Sequence, residues 1–185
     1  AAQTPSSPSP PGIVLAGQHV ARAGMTLAAV GLGANLGDAA RTLRDAIDAL
    51  GTLPGARVIQ SSRLYRTPAW GVTDQPDFIN AVALLDTSLS PGELLDALLG
   101  IERDFGRVRI EGERWGPRTL DLDLLLHGDA VIDEPGLRLP HPHLHERAFA
   151  LLPLLEAWPD AGIPGIGPAR ECAGVMAADG IEPLP

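Results

Sequence analysis

Ser90-Pro91-Gly92-Glu93 is the stretch that most narrows the folds open to this chain, because it specifies a helix start almost completely. A serine there accepts from the amide three residues on, and a glutamate at that position reaches back to the serine's own amide. Proline fits the first turn, where its missing N–H is not needed. Leu94, Leu98, Ile101 and Phe105 then recur at helical spacing up to Gly106, predicting an amphipathic helix with one face in a core. Asp38 opens a second predicted helix, with Leu43, Ile47 and Leu50 as its stripe and Gly51 as its stop.

Strand patterns surround these helices. Residues 26–33 are a run of small and β-branched residues ending in Gly-Leu-Gly, which reads as a buried strand leaving into a tight loop. Residues 57–65 can form a second strand. Residues 78–86 form a third, with Phe78, Asn80, Val82 and Leu84 on one face and Ile79, Ala81, Ala83 and Leu85 on the other. Residues 119–127 form a fourth. Strand, helix, strand, strand, helix, strand is the order of a ferredoxin-like βαββαβ core, an α+β fold with an antiparallel sheet and two helices on one face. The expectation is that the 119–127 strand lies centrally in that sheet, beside the 26–33 strand. Gly128-Asp129 is expected to turn the chain back through Ala130-Val131-Ile132 as a short hairpin. A helical segment is expected over 151–158, bounded by Pro153 and Pro159, with a small peripheral helix over 169–178.

With 185 residues, 45% hydrophobic and 20% charged, one domain with a sizeable core is expected over 25–185. Residues 1–24 hold a Pro/Ser run that cannot build a core and predict a disordered leader. No apolar stretch reaches membrane-spanning length, and a net charge of −9 argues against general binding to nucleic acid or anionic membrane. Phosphate affinity must then be local. Residues 101–118 carry Arg103, Arg107, Arg109, Arg114 and Arg118 against four acids, a balance of +1 in a chain otherwise at −10. Cys172 is the single cysteine, so no intramolecular disulfide forms, which fits a reducing, cytoplasmic setting.

Within 114–123 the chain reads Arg-Trp-Gly-Pro-Arg-Thr-Leu-Asp-Leu-Asp. Asp121 and Asp123, at i and i+2 on a strand, project two carboxylates from one face about 7 Å apart. That spacing suits two Mg²⁺ ions clamping phosphate oxygens. Aspartates on a half-exposed strand are ordinarily solvated. Here, however, the next residue on their face is Leu125, so that face becomes covered further along. The arginines can grip phosphate bidentately and Trp115 offers a flat apolar surface. The twelve-residue connection 66–77 is too long for an ordinary hairpin and carries Trp70. Phe78 and Asn80 share a face at its exit, an aromatic ring plus an amide suited to a flat heterocycle. The histidines at 141, 143 and 145 straddle a proline with no cysteine nearby and do not make a zinc set; His141, between two prolines, suits phosphate better.

Four motifs together resemble the 6-hydroxymethyl-7,8-dihydropterin pyrophosphokinase family: Gly31-Leu32-Gly33-Ala34-Asn35-Leu36-Gly37-Asp38, the 114–123 run, Leu139-Pro140-His141-Pro142, and Arg147-Ala148-Phe149. The resemblance spans roughly 26–159. It implies a transferase that moves diphosphate from ATP to 6-hydroxymethyl-7,8-dihydropterin in folate biosynthesis, releasing AMP. It further implies Asp121 and Asp123 as ligands of two Mg²⁺ ions, with Arg107 and Arg118 beside them as catalytic. Arg107, Arg118, His141 and Arg147 fall to ATP, and Thr67, Pro68, Trp70, Phe78, Asn80, Trp115 and Phe149 to the pterin. No nucleic-acid or membrane partner is implied, and a monomer is expected. Two departures stand out: Ala34 replaces a frequent serine, and Ile110-Glu111 stands where some relatives carry a loop lysine. Two other classes fit a carboxylate pair on such a sheet, a two-metal nucleotidyl transferase or cyclase and a non-catalytic module that binds a small ligand without Mg²⁺.

Overall fold

A computed structural model of the protein describes residues 19–68, 76–106, 120–175 and 180–185. Both predicted helices form. In α1 (Ala39–Gly51) the Asp38 carboxylate accepts from the Arg41 amide at 3.2 Å, and Ala39, Leu43, Ala46 and Leu50 are buried. In α2 (Pro91–Gly106) the box closes reciprocally: Glu93 N–H donates to Ser90 Oγ at 3.2 Å and Ser90 N–H to Glu93 Oε1 at 3.0 Å. Leu94, Leu98 and Ile101 supply its buried face.

The sheet is built on β1 (Thr26–Ala34), which pairs antiparallel with β4 (Phe78–Thr87) on one side and β5 (Asp121–His127) on the other. β2 (Ala56–Ser61) and β3 (Tyr65–Thr67) follow one another along the far side of β4. The helices and the antiparallel sheet have the ferredoxin-like order. Several expectations change in detail. β1 keeps Gly31-Leu32-Gly33 as its expected end and runs only one residue further, to Ala34. The single strand expected over 57–65 is broken because Ser62 bonds Val82 twice, through its amide at 2.8 Å and its hydroxyl at 3.0 Å, which re-aims the chain. β5 does lie beside β1, but at the sheet's edge and not at its centre. The reason is topological: β4 already occupies the other side of β1, so β1 and β4 are the inner strands.

After β5 the Gly128 turn does not itself make a hairpin. The hairpin forms one step later, between β6 (Ile132–Glu134) and β7 (Leu137–Leu139), where Gly136 supplies a φ of 82°. A single 3₁₀ turn (Leu144–Glu146) leads into α3 (Ala148–Ala157), which starts three residues before its expected position and carries Pro153 inside it, the ring buried in the core. The short strands β8 (Gly162–Ile163) and β9 (Gly167–Pro168) pair, α4 (Ala169–Gly174) follows, and β10 (Glu182–Pro183) joins the sheet edge at β3.

Strand alternation gives the sheet two cores. Ala28, Val30 and Leu32 face Leu43, Leu50, Leu94 and Leu98 of α1 and α2. Leu27, Ala29, Leu84 and Leu126 face Leu144, Leu151 and Leu154 on the opposite side. Each such leucine, fully withdrawn from water, contributes about 1.5–3 kcal/mol. Contacts of the folded body already begin at Ala21 and Arg22, ahead of the start expected at Met25; the Pro/Ser run lies outside the described residues.

Arg22 donates from its amide and from Nε to Asp86 Oδ2, both at 3.1 Å, and Arg57 Nη2 stands at 3.5 Å. Burial alone would raise the Asp86 carboxyl, whose side chain is 0% exposed, but the hydrogen bonds and charge of Arg22, with Arg57, hold it below the usual range. A carboxylate with a depressed folded pKa contributes stability above its unfolded pKa of about 4 and loses it as pH falls through the folded value. Asp86→Ala is therefore expected to lower unfolding free energy by about 1–3 kcal/mol at pH 7. In urea titrations the deficit should narrow below about pH 4; a deficit independent of pH would contradict the assignment.

Candidate active site

Strand register assembles the site. Gly33 is opposite Asn80 on one side and Asp121 on the other, and Gly31 is opposite Val82 and Asp123. Two rows thus cross three strands on one face, each with a glycine at its centre. No side chain rises from β1 there, and the face opens as a cavity of about 330 Å³. Crowding would follow from any Cβ: one at Gly33 would come within 3.1 Å of Asn80 Oδ1, and one at Gly31 within 3.3 Å of Leu125 Cδ1. Glycine inside a strand commonly marks such a close approach.

One wall is polar and flat. Asn80 Nδ2 donates to Thr67 Oγ1 at 2.9 Å, which orients the carboxamide with its oxygen on the Gly33 side. Phe78 pairs with Thr67 in register, and Pro68 continues the wall. The other wall is charged: Asp121 and Asp123 are exposed at the start of β5, while Leu122 and Leu124 between and beyond them turn into the first core.

The roof comes from the segment after β7. Leu125 is the extra residue of a bulge in the β1–β5 ladder, and its carbonyl accepts from His141 N–H at 2.9 Å. That bond anchors His141, just after the cis Leu139–Pro140 bond, where it lines the cavity with Asp121 and Asp123. Burial lowers the His141 pKa; Asp123 opposes this, while Arg147 and His143 reinforce it. The shift favours the neutral ring, which has one N–H to donate. His143 and His145 each stand 3.3 Å from Glu146, whereas of the three only His141 lines the cavity. Arg147 lies over the Phe149 ring at 5.8 Å, and both border the opening. Glu156 fastens the helix carrying this roof to β3, accepting from the Tyr65 hydroxyl and from Arg63 Nε at 3.2 Å.

Thr67, Pro68, Phe78, Asn80, Asp121, Asp123, His141, Arg147 and Phe149 therefore surround one cavity. Trp70, Arg107, Trp115 and Arg118 lie outside the described residues. Sequence reasoning missed Gly31 and Gly33 as a floor and Leu144 as part of the lining; the spacing of the two glycines, in phase with the aspartates across the sheet, was the available signal. Among the described residues no three potential metal ligands cluster.

Residues 29–159 match the family described as 7,8-dihydro-6-hydroxymethylpterin-pyrophosphokinase (HPPK). The chain belongs to the HPPK family. It is 46% identical over 156 residues to the 2-amino-4-hydroxy-6-hydroxymethyldihydropteridine pyrophosphokinase of Pseudomonas aeruginosa, covering 84% of this chain and 95% of that protein. The enzyme of the same name from Methylorubrum extorquens is 46% identical over 158 residues, with 85% and 98% covered. In fold it is similar to the crystal structure of wild-type Plasmodium falciparum HPPK-DHPS, with a TM-score of 0.63 at 14% identity; the match covers 81% of this chain and 44% of that one. As an HPPK the protein is an ATP-dependent diphosphotransferase acting on a dihydropterin.

Gly33→Ala tests the glycine floor of this HPPK. The added methyl must displace the Asn80 carboxamide, so the unfolding midpoint should hold within a few degrees while pterin affinity falls about tenfold or more. Unchanged affinity by titration calorimetry would show that the ring does not approach β1.

Proposed function

We propose that the cavity over Gly31 and Gly33 is where diphosphate passes from ATP to the hydroxymethyl oxygen of 6-hydroxymethyl-7,8-dihydropterin. The observation that carries this reading is the placement of a heterocycle wall and a carboxylate wall on opposite sides of one bare strand. The pterin ring lies on the Asn80 side. Asn80 Oδ1 accepts from the ring's amine, the Thr67 hydroxyl donates, and Phe78 and Phe149 cover the two faces of the ring. ATP lies on the aspartate side, with Arg147 and the neutral imidazole of His141 donating to its phosphates. Trp70 and Trp115 are proposed to complete the pterin enclosure, and Arg107 and Arg118 the phosphate grip.

Asp121 and Asp123 fit two Mg²⁺ ions. They offer exposed hard oxygen donors in phase on one face, and ATP oxygens and water can supply the remaining ligands. Bound there, the ions would neutralise phosphate charge and stabilise the leaving oxygen. The chain's own part is alignment: the two walls hold the hydroxymethyl oxygen in line with the β-phosphorus. That oxygen bonds to the β-phosphorus, the bond from the β-phosphorus to the α,β-bridging oxygen breaks, AMP departs, and the hydroxyl proton passes to solvent. His141 and Arg147 follow the charge as it moves onto the departing and transferred phosphates.

Among the described residues no helix is long and apolar enough to cross a membrane. A cytoplasmic setting, inside which a free Cys172 stays reduced, accords with its small-molecule substrates.

Two measurements check this function. With Mg-ATP and the pterin alcohol, chromatography should show AMP accumulating in step with a pterin diphosphate; stoichiometric ADP would sink the β-phosphorus assignment. Asp121→Asn and Asp123→Asn should each lower kcat about a hundredfold or more with unfolding midpoints held. Normal turnover in either variant would dispose of the metal assignment.

A further inference from the structure

We infer that Glu102 is a positioning residue for the aspartate pair. It contributes nothing to the cavity lining, yet its Oε1 accepts from the Leu122 amide at 2.7 Å. Leu122 is the residue between Asp121 and Asp123, and its own side chain is buried in the opposite core. β5 is the last strand of the sheet's path, so among the described residues no strand pairs along its outer side. Edge strands are where a sheet's backbone is least constrained. A carboxylate bond at the one amide midway between the two aspartates restrains the peptides on either side, and with them the spacing of the two carboxylates. Ile101 and Leu98, buried in the first core, hold α2 in the orientation from which Glu102 reaches.

The bond crosses 20 residues of sequence, joining the end of α2 to the start of β5. It belongs to the class of outer contacts that orient metal ligands without touching the metal. The inference rests on the reading that Asp121 and Asp123 bind Mg²⁺. Two modes of action are separable. Acting by reach, Glu102 needs an acceptor at its full side-chain length; acting by charge, it needs only a nearby anion.

Glu102→Gln keeps length and an acceptor oxygen, while Glu102→Asp keeps the charge but is one methylene short. Three readouts apply to each variant and to wild type: NMR exchange of the Leu122 amide, calorimetric affinity for a non-hydrolysable ATP analogue with and without Mg²⁺, and kcat. In Glu102→Gln the amide should stay protected, with Mg²⁺-dependent affinity and kcat within about threefold of wild type. In Glu102→Asp the amide should exchange at least about a hundredfold faster, and Mg²⁺-dependent affinity should fall about tenfold, with metal-free affinity unchanged. The inference is overturned if Asp preserves function where Gln loses it, if both behave alike, or if the amide is exposed with no change in Mg²⁺ dependence. Asp123→Asn run alongside distinguishes the underlying reading. If that variant keeps Mg²⁺-dependent binding, the metal assignment fails and takes the inference with it, although Leu122 exchange still reports whether the Glu102 bond exists.

Discussion

Antiparallel register around β1 is the constraint from which the site follows. Because Gly33 faces Asn80 and Asp121, and Gly31 faces Val82 and Asp123, every group on that face is placed by backbone hydrogen bonds and not by loop conformation. A one-residue slip of β5 would send both aspartates into the first core and Leu122 and Leu124 into the cavity. The buried leucines of β5 therefore do more than stabilise: they make that slip prohibitively unfavourable and so hold the carboxylates in phase with the glycines.

The second face supplies what the strands cannot. The bulge at Leu125 frees a carbonyl for His141, and α3, tied to Tyr65 of β3 through Glu156, closes the space above the glycine rows. Burial of His141 beneath this layer lowers its pKa and so favours the neutral ring, which keeps one N–H to donate. Glu102 acts from the other side of the sheet, at the outer side of β5. Floor, roof and edge are thus fixed by different elements, and each depends on β5 keeping its register.

Much of this was legible in the residues. The capping box, the alternation of β4 and the turn of the aspartate face toward a core at Leu125 are local patterns, and local physics decides them. What was hidden depends on contacts between distant residues. Ser62 breaks its strand through bonds to Val82, 20 positions away, and no propensity announces that. The edge position of β5 follows from which side of β1 is already taken. α3 is apolar nearly all round, so periodicity could not say that it roofs the site, and Pro153 read as a boundary although it is buried inside the helix. Gly31 and Gly33 read only as the end of a buried strand, because their role as a floor is visible only across three strands. Glu102 entered only as one of the four acids counted against the arginines of 101–118. The four motifs, by contrast, carried the family resemblance and with it Trp115, Arg118, Asp121, Asp123, His141, Arg147 and Phe149 as candidate site residues.

The central claim is spatial: heterocycle on the Asn80 side of the glycine rows, metal and phosphates on the aspartate side. A crystal structure with Mg²⁺, a non-hydrolysable ATP analogue and the pterin alcohol tests it most directly. The account predicts metal density about 2.1 Å from carboxylate oxygens of both Asp121 and Asp123. It also predicts the pterin ring between Phe78 and Phe149, with its amine at Asn80 Oδ1. Metal held elsewhere, or a pterin bound away from Gly33, would contradict it.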